Sequence, residues 1–382
     1  MRHILRVTVA LFAVAGLAGG GVAFADHGPG GSSGSGSGSE SGSGEHGAKH
    51  HGDHGQDNRT ADVYTLAEPQ HGNPEGVAFD KRSGFFFVSA TGDGSIYRGK
   101  LGDTATPVPV FIPGAAGQSA TGLKVQHGKL YAAGAATGTI KVYDVDSGAL
   151  LATFDTKGGS SSPTFVNDLD VTKRGDVYAT DSKRPAIYHL TAEEIAAGTS
   201  APKPIDPADV ISTSPEIPFN ASPTAFNLNG IVVEDDRGDD PGRHHGDRHR
   251  HDGHRRADKL IVVDSDTGQL FRVKVGKDGN AARKIRELVV EGGPFNGGDG
   301  LLIDRGQLLV VQGSNPDDGF PNGVVDFIDL RHGGRDARLA DQRTDASFQR
   351  PSTIAAARDR YLVVNPDFAT NTPPFTVTAL PR

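Results

Sequence analysis

Six residues, Glu75, Thr121, Asn167, Asn229, Asp299 and Pro351, each open a stretch of the same plan, and four of them carry strong oxygen donors. Two are carboxylates and two are carboxamides. A hard cation such as calcium takes about six to eight oxygen ligands at roughly 2.3–2.6 Å, in a forgiving geometry. Two carboxylates would neutralise its charge, amide carbonyls would add dipoles, and water or substrate would complete the shell. The chain has no cysteine and none of these positions is a histidine, which argues against zinc or copper here. Asn and Asp also open strands as simple turn formers. Turn chemistry explains each residue singly, but less well the concentration of four donors at one repeat position.

The elements that must position them are strands. The six stretches are "EGVAFDKRSGFFFVSA" from Glu75, "TGLKVQHGKLYAAG" from Thr121, "NDLDVTKRGDVYATDS" from Asn167, "NGIVVEDD…DKLIVVDS" from Asn229, "DGLLIDRGQLLVVQG" from Asp299 and "PSTIAAARDRYLVVNP" from Pro351. Each shows apolar alternation cut by a Gly or Asp turn, and each is followed by a third run such as "GSIYRGKL" or "GQLFRVKV". The first two steps between anchors are 46 residues, and later steps are longer because they contain insertions. Such units bury their faces only against one another. Radial packing makes an all-β, six-bladed β-propeller whose first strands line a central channel. A sandwich pair or a solenoid is the alternative. Fourth strands are weaker, as in "VPVFIPG" and "ALLATFDT". The last unit lacks one, and "ADVYTLAE" at 61–68 stands unpaired, so the N-terminal strand is expected to close the last blade.

The flanks set the organisation. Residues 1–25 combine a basic start, an apolar run and "AFA", a signal-peptide pattern with cleavage expected after Ala25 and a secreted product. Residues 26–60 are Gly, Ser and His rich, a flexible linker by composition. The propeller then occupies 61–382, interrupted at about 191–222 by a short helix and a Pro-rich excursion. A second interruption, at about 235–258, is a His- and charge-rich loop. Losing Arg2 and Arg6 with the leader leaves 37 basic and 47 acidic residues, a formal charge of −10. That disfavours nucleic acid or anionic membrane as partner. No run beyond the leader approaches membrane-spanning length, and a monomer is expected.

Four segments, "NPEGVAFD", "FVNDLDVTKRGDVYATDS", "NLNGIVV…KLIVVDSDTGQLFRV" and "GGDGLLIDRGQLLVV", resemble the SMP-30/gluconolactonase family. With its relatives, the paraoxonases and diisopropylfluorophosphatase, this family comprises six-bladed propellers with calcium in the channel. The resemblance runs across about residues 62–380. It implies that Glu75, Asn229 and Asp299 ligate the metal, calcium or another divalent cation, and that Asn167 ligates it or holds substrate beside it. It also implies Asp299 as general base or nucleophile. One position departs from the pattern: sugar-lactone members place an arginine two residues before the Asn-Asp pair, and here that residue is Phe165. A more apolar ester or lactone is therefore expected.

Further substrate contacts are assigned to Thr121, Phe165 and Asp168, and His71 is a candidate proton shuttle at the channel mouth. "GSIYRGKL" ends in Leu101 where a P-loop needs Ser or Thr, and neither a GxSxG elbow nor HExxH occurs. Two readings remain at this point. One is a metal-dependent lactone or ester hydrolase; the other is a secreted binding or scaffolding propeller with a structural calcium.

Overall fold

The computed structural model describes residues 60–234, 258–277, 279, 281–316, 319–330 and 336–382. The expected leader, nearly all of the linker and residues 235–257 of the second insertion lie outside the described residues. Six sheets form a six-bladed propeller. Their inner strands are Pro74–Phe79, Leu123–Gln126, Val166–Val171, Leu228–Val233, Gly298–Asp304 and Ile354–Ala357. Each pairs antiparallel with the strand that follows it.

Near-continuous apolar runs such as Lys259–Asp264 and Gln307–Gln312 make both faces of a blade apolar, and burial between neighbouring blades satisfies them. One cluster packs Tyr131, Ile140 and Phe154 of blade 2 against Val166, Val177 and Tyr188 of blade 3, all nearly inaccessible. Blades 3 and 4 meet through Tyr178, Ile187, Leu228 and Val262. Blades 1 and 6 meet through Tyr64, Phe86, Leu362 and Val377. Each large side chain so buried stabilises the ring by about 1.5–3 kcal/mol before entropy is counted.

The outermost strand of blade 6 is Asp62–Thr65, paired antiparallel with Thr376–Pro381. Arg382 reaches the neighbouring blade 5 in a two-pronged ion pair with Asp304, which also accepts from Tyr361 Oη at 2.7 Å.

The first insertion does more than excursion chemistry. It begins with the helix Ala192–Ala197, capped by Thr191, whose hydroxyl accepts from Glu194 N. It then supplies Val210–Ser212 as the fourth strand of blade 3 and lays Lys203–Pro204 parallel along the outer strand of blade 2. These strands are too short for alternation to announce them. No helix of the described residues is long and apolar enough to cross a membrane.

Candidate functional site

All four oxygen-donor anchors sit in breaks of strand register. The pairing of inner with second strand shifts between Pro74 and Val77, between Val166 and Leu169, between Leu228 and Ile231, and between Gly298 and Leu301. Glu75, Asn167, Asn229 and Asp299 lie inside those four gaps. A bulge inserts a residue that the partner strand does not match and re-aims the local side chains. In blades 2 and 6 the regular inner strand begins only after Thr121 and Pro351, the two anchors without a strong donor.

Glycine follows most anchors because neighbouring inner strands nearly touch. A methyl group on Gly76 would lie 2.2 Å from the Thr121 carbonyl oxygen, and one on Gly230 would lie 2.2 Å from that of Asp299. Backbone carbonyls are thus turned toward the adjacent blade. Ser352 Oγ donates to Glu75 O at 2.7 Å, Gly122 N to Asn167 O at 2.9 Å, and Thr180 Oγ1 to Asn229 O at 2.6 Å.

Glu75 Oε2, Asn229 Oδ1 and Asp299 Oδ1 are shielded from solvent and accept no hydrogen bond. Buried acceptors without partners are rare because each carries its full desolvation cost. Burial pushes the Glu75 carboxyl well above the usual carboxylate range, and the charges of Asp299 and Asp168 push it further. Asp299 is pushed up in the same way by burial and by Asp168, against an opposing hydrogen bond from Asn229. The donor set therefore lacks positive charge. Two carboxylates and amide oxygens fit a hard divalent cation. Among the described residues no three His, Cys, Asp or Glu side chains form a metal-holding group. A site here would rest on carboxamides beside its two carboxylates.

Asn167 is held by its nitrogen. Its Nδ2 donates to Ser182 Oγ at 2.8 Å, which leaves Oδ1 as the atom for a ligand. Asp168 turns elsewhere. It accepts from its neighbour Leu169 N at 2.8 Å and from Ile231 N of blade 4 at 3.3 Å. It lines a cavity of about 520 Å³ together with Lys124, Leu169, Ile231, Leu301 and Thr353, and none of the four donor anchors lines that cavity. Burial raises its carboxyl to about 7, with the Leu169 and Ile231 amides and the Lys124 ammonium opposing. Gly122 is required here, since a methyl on it would lie 2.3 Å from Asp168 Oδ1.

The other residues assigned to substrate each have partners of their own. The Thr121 hydroxyl is buried and donates to Val166 O at 3.0 Å, tying blade 2 to blade 3. Phe165 is half-buried and meets Phe226 edge-on, with centroids 5.1 Å apart. His71 joins a separate cluster: its Nδ1 lies 2.6 Å from Asp93 Oδ2 and 3.1 Å from Ser95 Oγ, and its ring contacts Tyr97. The bond to Asp93 raises its pKa. None of these contacts is with a donor anchor.

Sequence reasoning passed over Ser182, Thr180 and Phe226. The signal for the serine was the matching "DS" pairs at 181–182 and 264–265. The aspartates are turn acceptors, Asp181 from Phe165 N and Lys183 N, and Asp264 from Thr267 N. The serines do the long-range work: Ser182 Oγ donates to Leu228 O and Ser265 Oγ to Gly298 O, both at 2.5 Å. Each accepting carbonyl lies one residue before an anchor.

A second buried polar group lies outside the ring. His189 is inaccessible, stacked on Tyr178 at 4.8 Å, and neither ring nitrogen has a hydrogen-bond partner. Burial lowers its pKa, against the charges of Asp176, Asp209, Asp258 and Glu194. The unfolded chain takes up this proton near the ordinary value of about 6.5, before the folded one does. The stability tied to neutral His189 is whole above that pH and is lost as pH falls through the folded value. Urea unfolding between pH 7.5 and 5.5 should show a smaller loss for His189→Phe than for the wild type.

Comparison with known proteins places the fold. No protein-family model matches the sequence, and no curated protein matches it. Among solved structures, the chain is similar to regucalcin, a calcium-binding protein from Agrobacterium tumefaciens, with a TM-score of 0.52 and 16% identity over 84% of this chain and 95% of that one. It is similar to a gluconolactonase from Xanthomonas campestris, with a TM-score of 0.51 and 16% identity over 84% and 90% of the two chains. A luciferin-regenerating enzyme matches at 0.52 and 12%, over 84% and 95%. At such identities the likeness is one of fold.

Proposed function

We propose that the chain is a secreted, divalent-cation-dependent hydrolase of lactones or esters, with calcium as the preferred ion. Glu75, Asn167, Asn229 and Asp299 would hold the ion. The observation that carries this reading is the set of three shielded, unpartnered oxygens on Glu75, Asn229 and Asp299. When bound, the cation supplies Lewis-acid polarisation of the substrate carbonyl. Asp299 accepts the proton of the attacking water, or attacks itself, while the bond from Asn229 keeps its carboxylate oriented. Like fold to a gluconolactonase and to a calcium-binding protein supports the class of chemistry, and the leader at 1–25 supports export. The test is a panel of lactones and aryl esters assayed with calcium and with EGTA. Hydrolysis that vanishes on chelation and returns with calcium supports the reading, and a calcium-loaded chain that hydrolyses nothing overturns it.

A non-catalytic propeller with a structural ion is the second reading, favoured by Phe165 in the place of a substrate-gripping arginine. Under it, calcium raises the melting temperature but no substrate turns over.

Phe165 and Phe226 set the expected specificity. Phe165 lies two residues before Asn167, and Phe226 three before Asn229. Asn227 staples the Phe226 segment down, with Nδ2 donating to Ser182 O at 3.0 Å and to Asn220 O at 3.1 Å, while the Lys183 ammonium caps the Phe226 ring at 4.2 Å. The pair offers an apolar wall to the acyl or leaving group. A well-placed apolar contact is worth about 1–3 kcal/mol of discrimination. Phe226→Ala should lower kcat/KM for phenyl and long-chain esters about tenfold, with acetate esters changed less than twofold. Equal losses on both classes would remove the wall from the site.

A further inference from the structure

Two hydroxyls on the second strand of blade 3 and its extension, Thr180 and Ser182, hold both carboxamide anchors at once. Ser182 Oγ accepts from Asn167 Nδ2 at 2.8 Å and donates its single proton to Leu228 O at 2.5 Å. Thr180 Oγ1 accepts from Asp168 N at 3.2 Å and donates to Asn229 O at 2.6 Å. Both side chains are wholly buried, so their proton directions are not traded with water. Two residues apart on a strand, they project from one face. Each bridges the bulge of blade 3, at Asn167–Asp168, to the bulge of blade 4, at Leu228–Asn229.

We propose that Thr180 and Ser182 are positioning residues that fix Asn167 through its carboxamide nitrogen and Asn229 through the backbone carbonyls of Leu228 and Asn229, as one two-pronged neutral half of the cation site. This rests on the cation reading above.

The chemistry is directional. An asparagine can offer either its oxygen or its nitrogen to a site, and a cation accepts only oxygen. With Nδ2 bound to Ser182 Oγ, Asn167 has only Oδ1 left to present. Without the serine the amide is free to turn, and the Leu228 carbonyl next to Asn229 loses its donor. Blade 4 repeats the device toward blade 5, where Ser265 Oγ takes the carbonyl just before Asp299. Groups that orient ligands in this way typically change metal affinity about 10- to 100-fold when removed.

The experiment is calorimetric titration of calcium into the full chain, for the wild type, Ser182→Ala, Thr180→Val and Thr180→Ser, with melting curves in EGTA alongside. The expected result is a calcium Kd weakened 10- to 100-fold in Ser182→Ala and Thr180→Val. Thr180→Ser keeps the hydroxyl and should stay within threefold of the wild type. A purely structural role would lower the melting temperature in EGTA and leave Kd unchanged in every variant, which overturns the clamp. Equal weakening in Thr180→Ser and Thr180→Val overturns it too, because the hydroxyl would then be irrelevant. Should Ser182→Ala fail to fold, the comparison of Thr180→Val with Thr180→Ser decides alone. A wild-type chain that takes up no calcium overturns the cation reading itself, and the clamp with it. Wild-type binding with unaltered variants overturns the clamp only.

Discussion

Asp299→Asn is expected to lower ester or lactone hydrolysis by about 10²–10⁴-fold, the range set by loss of a positioned general base. The substitution keeps the size and one carbonyl oxygen of the side chain. It removes the charge, the basicity and one acceptor. The wild-type carboxylate stands against an unfavourable background, with burial and the Asp168 charge both opposing its ionisation. Asp299 Oδ1 is shielded and without a hydrogen-bond partner, so the bond from Asn229 compensates ionisation only in part. A bound cation compensates it, so the variant should lose affinity and rate together. Initial rates at saturating calcium separate the two effects. A rate that recovers fully at high calcium would confine Asp299 to ligation, and a rate that stays down assigns it the proton transfer as well.

Glu75→Gln should have the second largest effect, and one that runs in opposite directions with and without calcium. Without the ion, Glu75 is a buried carboxyl facing the charges of Asp299 and Asp168. Replacing a carboxyl whose charged form the site disfavours by a neutral amide removes that cost. In EGTA the variant is therefore expected to melt no lower than the wild type. With calcium at about 1,000 times its Kd, the wild type gains roughly 4 kcal/mol from binding. That corresponds to a shift on the order of 10 °C. The variant, with one carboxylate fewer to neutralise the ion, should lose most of that shift. Scanning calorimetry of both chains in calcium and in EGTA gives all four values. A Glu75→Gln chain that keeps the full calcium shift would place the ion elsewhere.

Much of the architecture was legible along the chain. Strand alternation and the 46-residue steps from Glu75 to Thr121 to Asn167 specify repeated sheets, because a period of two forces one face of each strand into a core. The anchors were legible for the same reason: residues at one repeat position occupy equivalent places in a ring. Less legible was the first insertion, whose Val210–Ser212 segment completes blade 3. Three residues carry too little pattern to be told from loop, and their partner Ala186–Leu190 is what makes them a strand. His71 is a residue whose partners only the fold reveals. Its nearness to Glu75 in sequence suggested the channel mouth, yet its ring partners are Asp93, Ser95 and Tyr97.

The sequence alone determined which residue types stand at the six inner-strand openings, and hence that two carboxylates and two carboxamides share one repeat position. Tertiary structure decided which of their atoms are available. The register breaks at Glu75, Asn167, Asn229 and Asp299 depend on pairing with a second strand, and the burial that raises Glu75 and Asp299 depends on all six blades closing. It also separated Asn167 from Asp168, neighbours in the chain. The first is held by Ser182 through its nitrogen, and the second is turned to the Ile231 amide and the channel cavity. Periodicity is a property of one strand. The direction of a hydrogen bond and the charge balance of a buried site are properties of several blades at once.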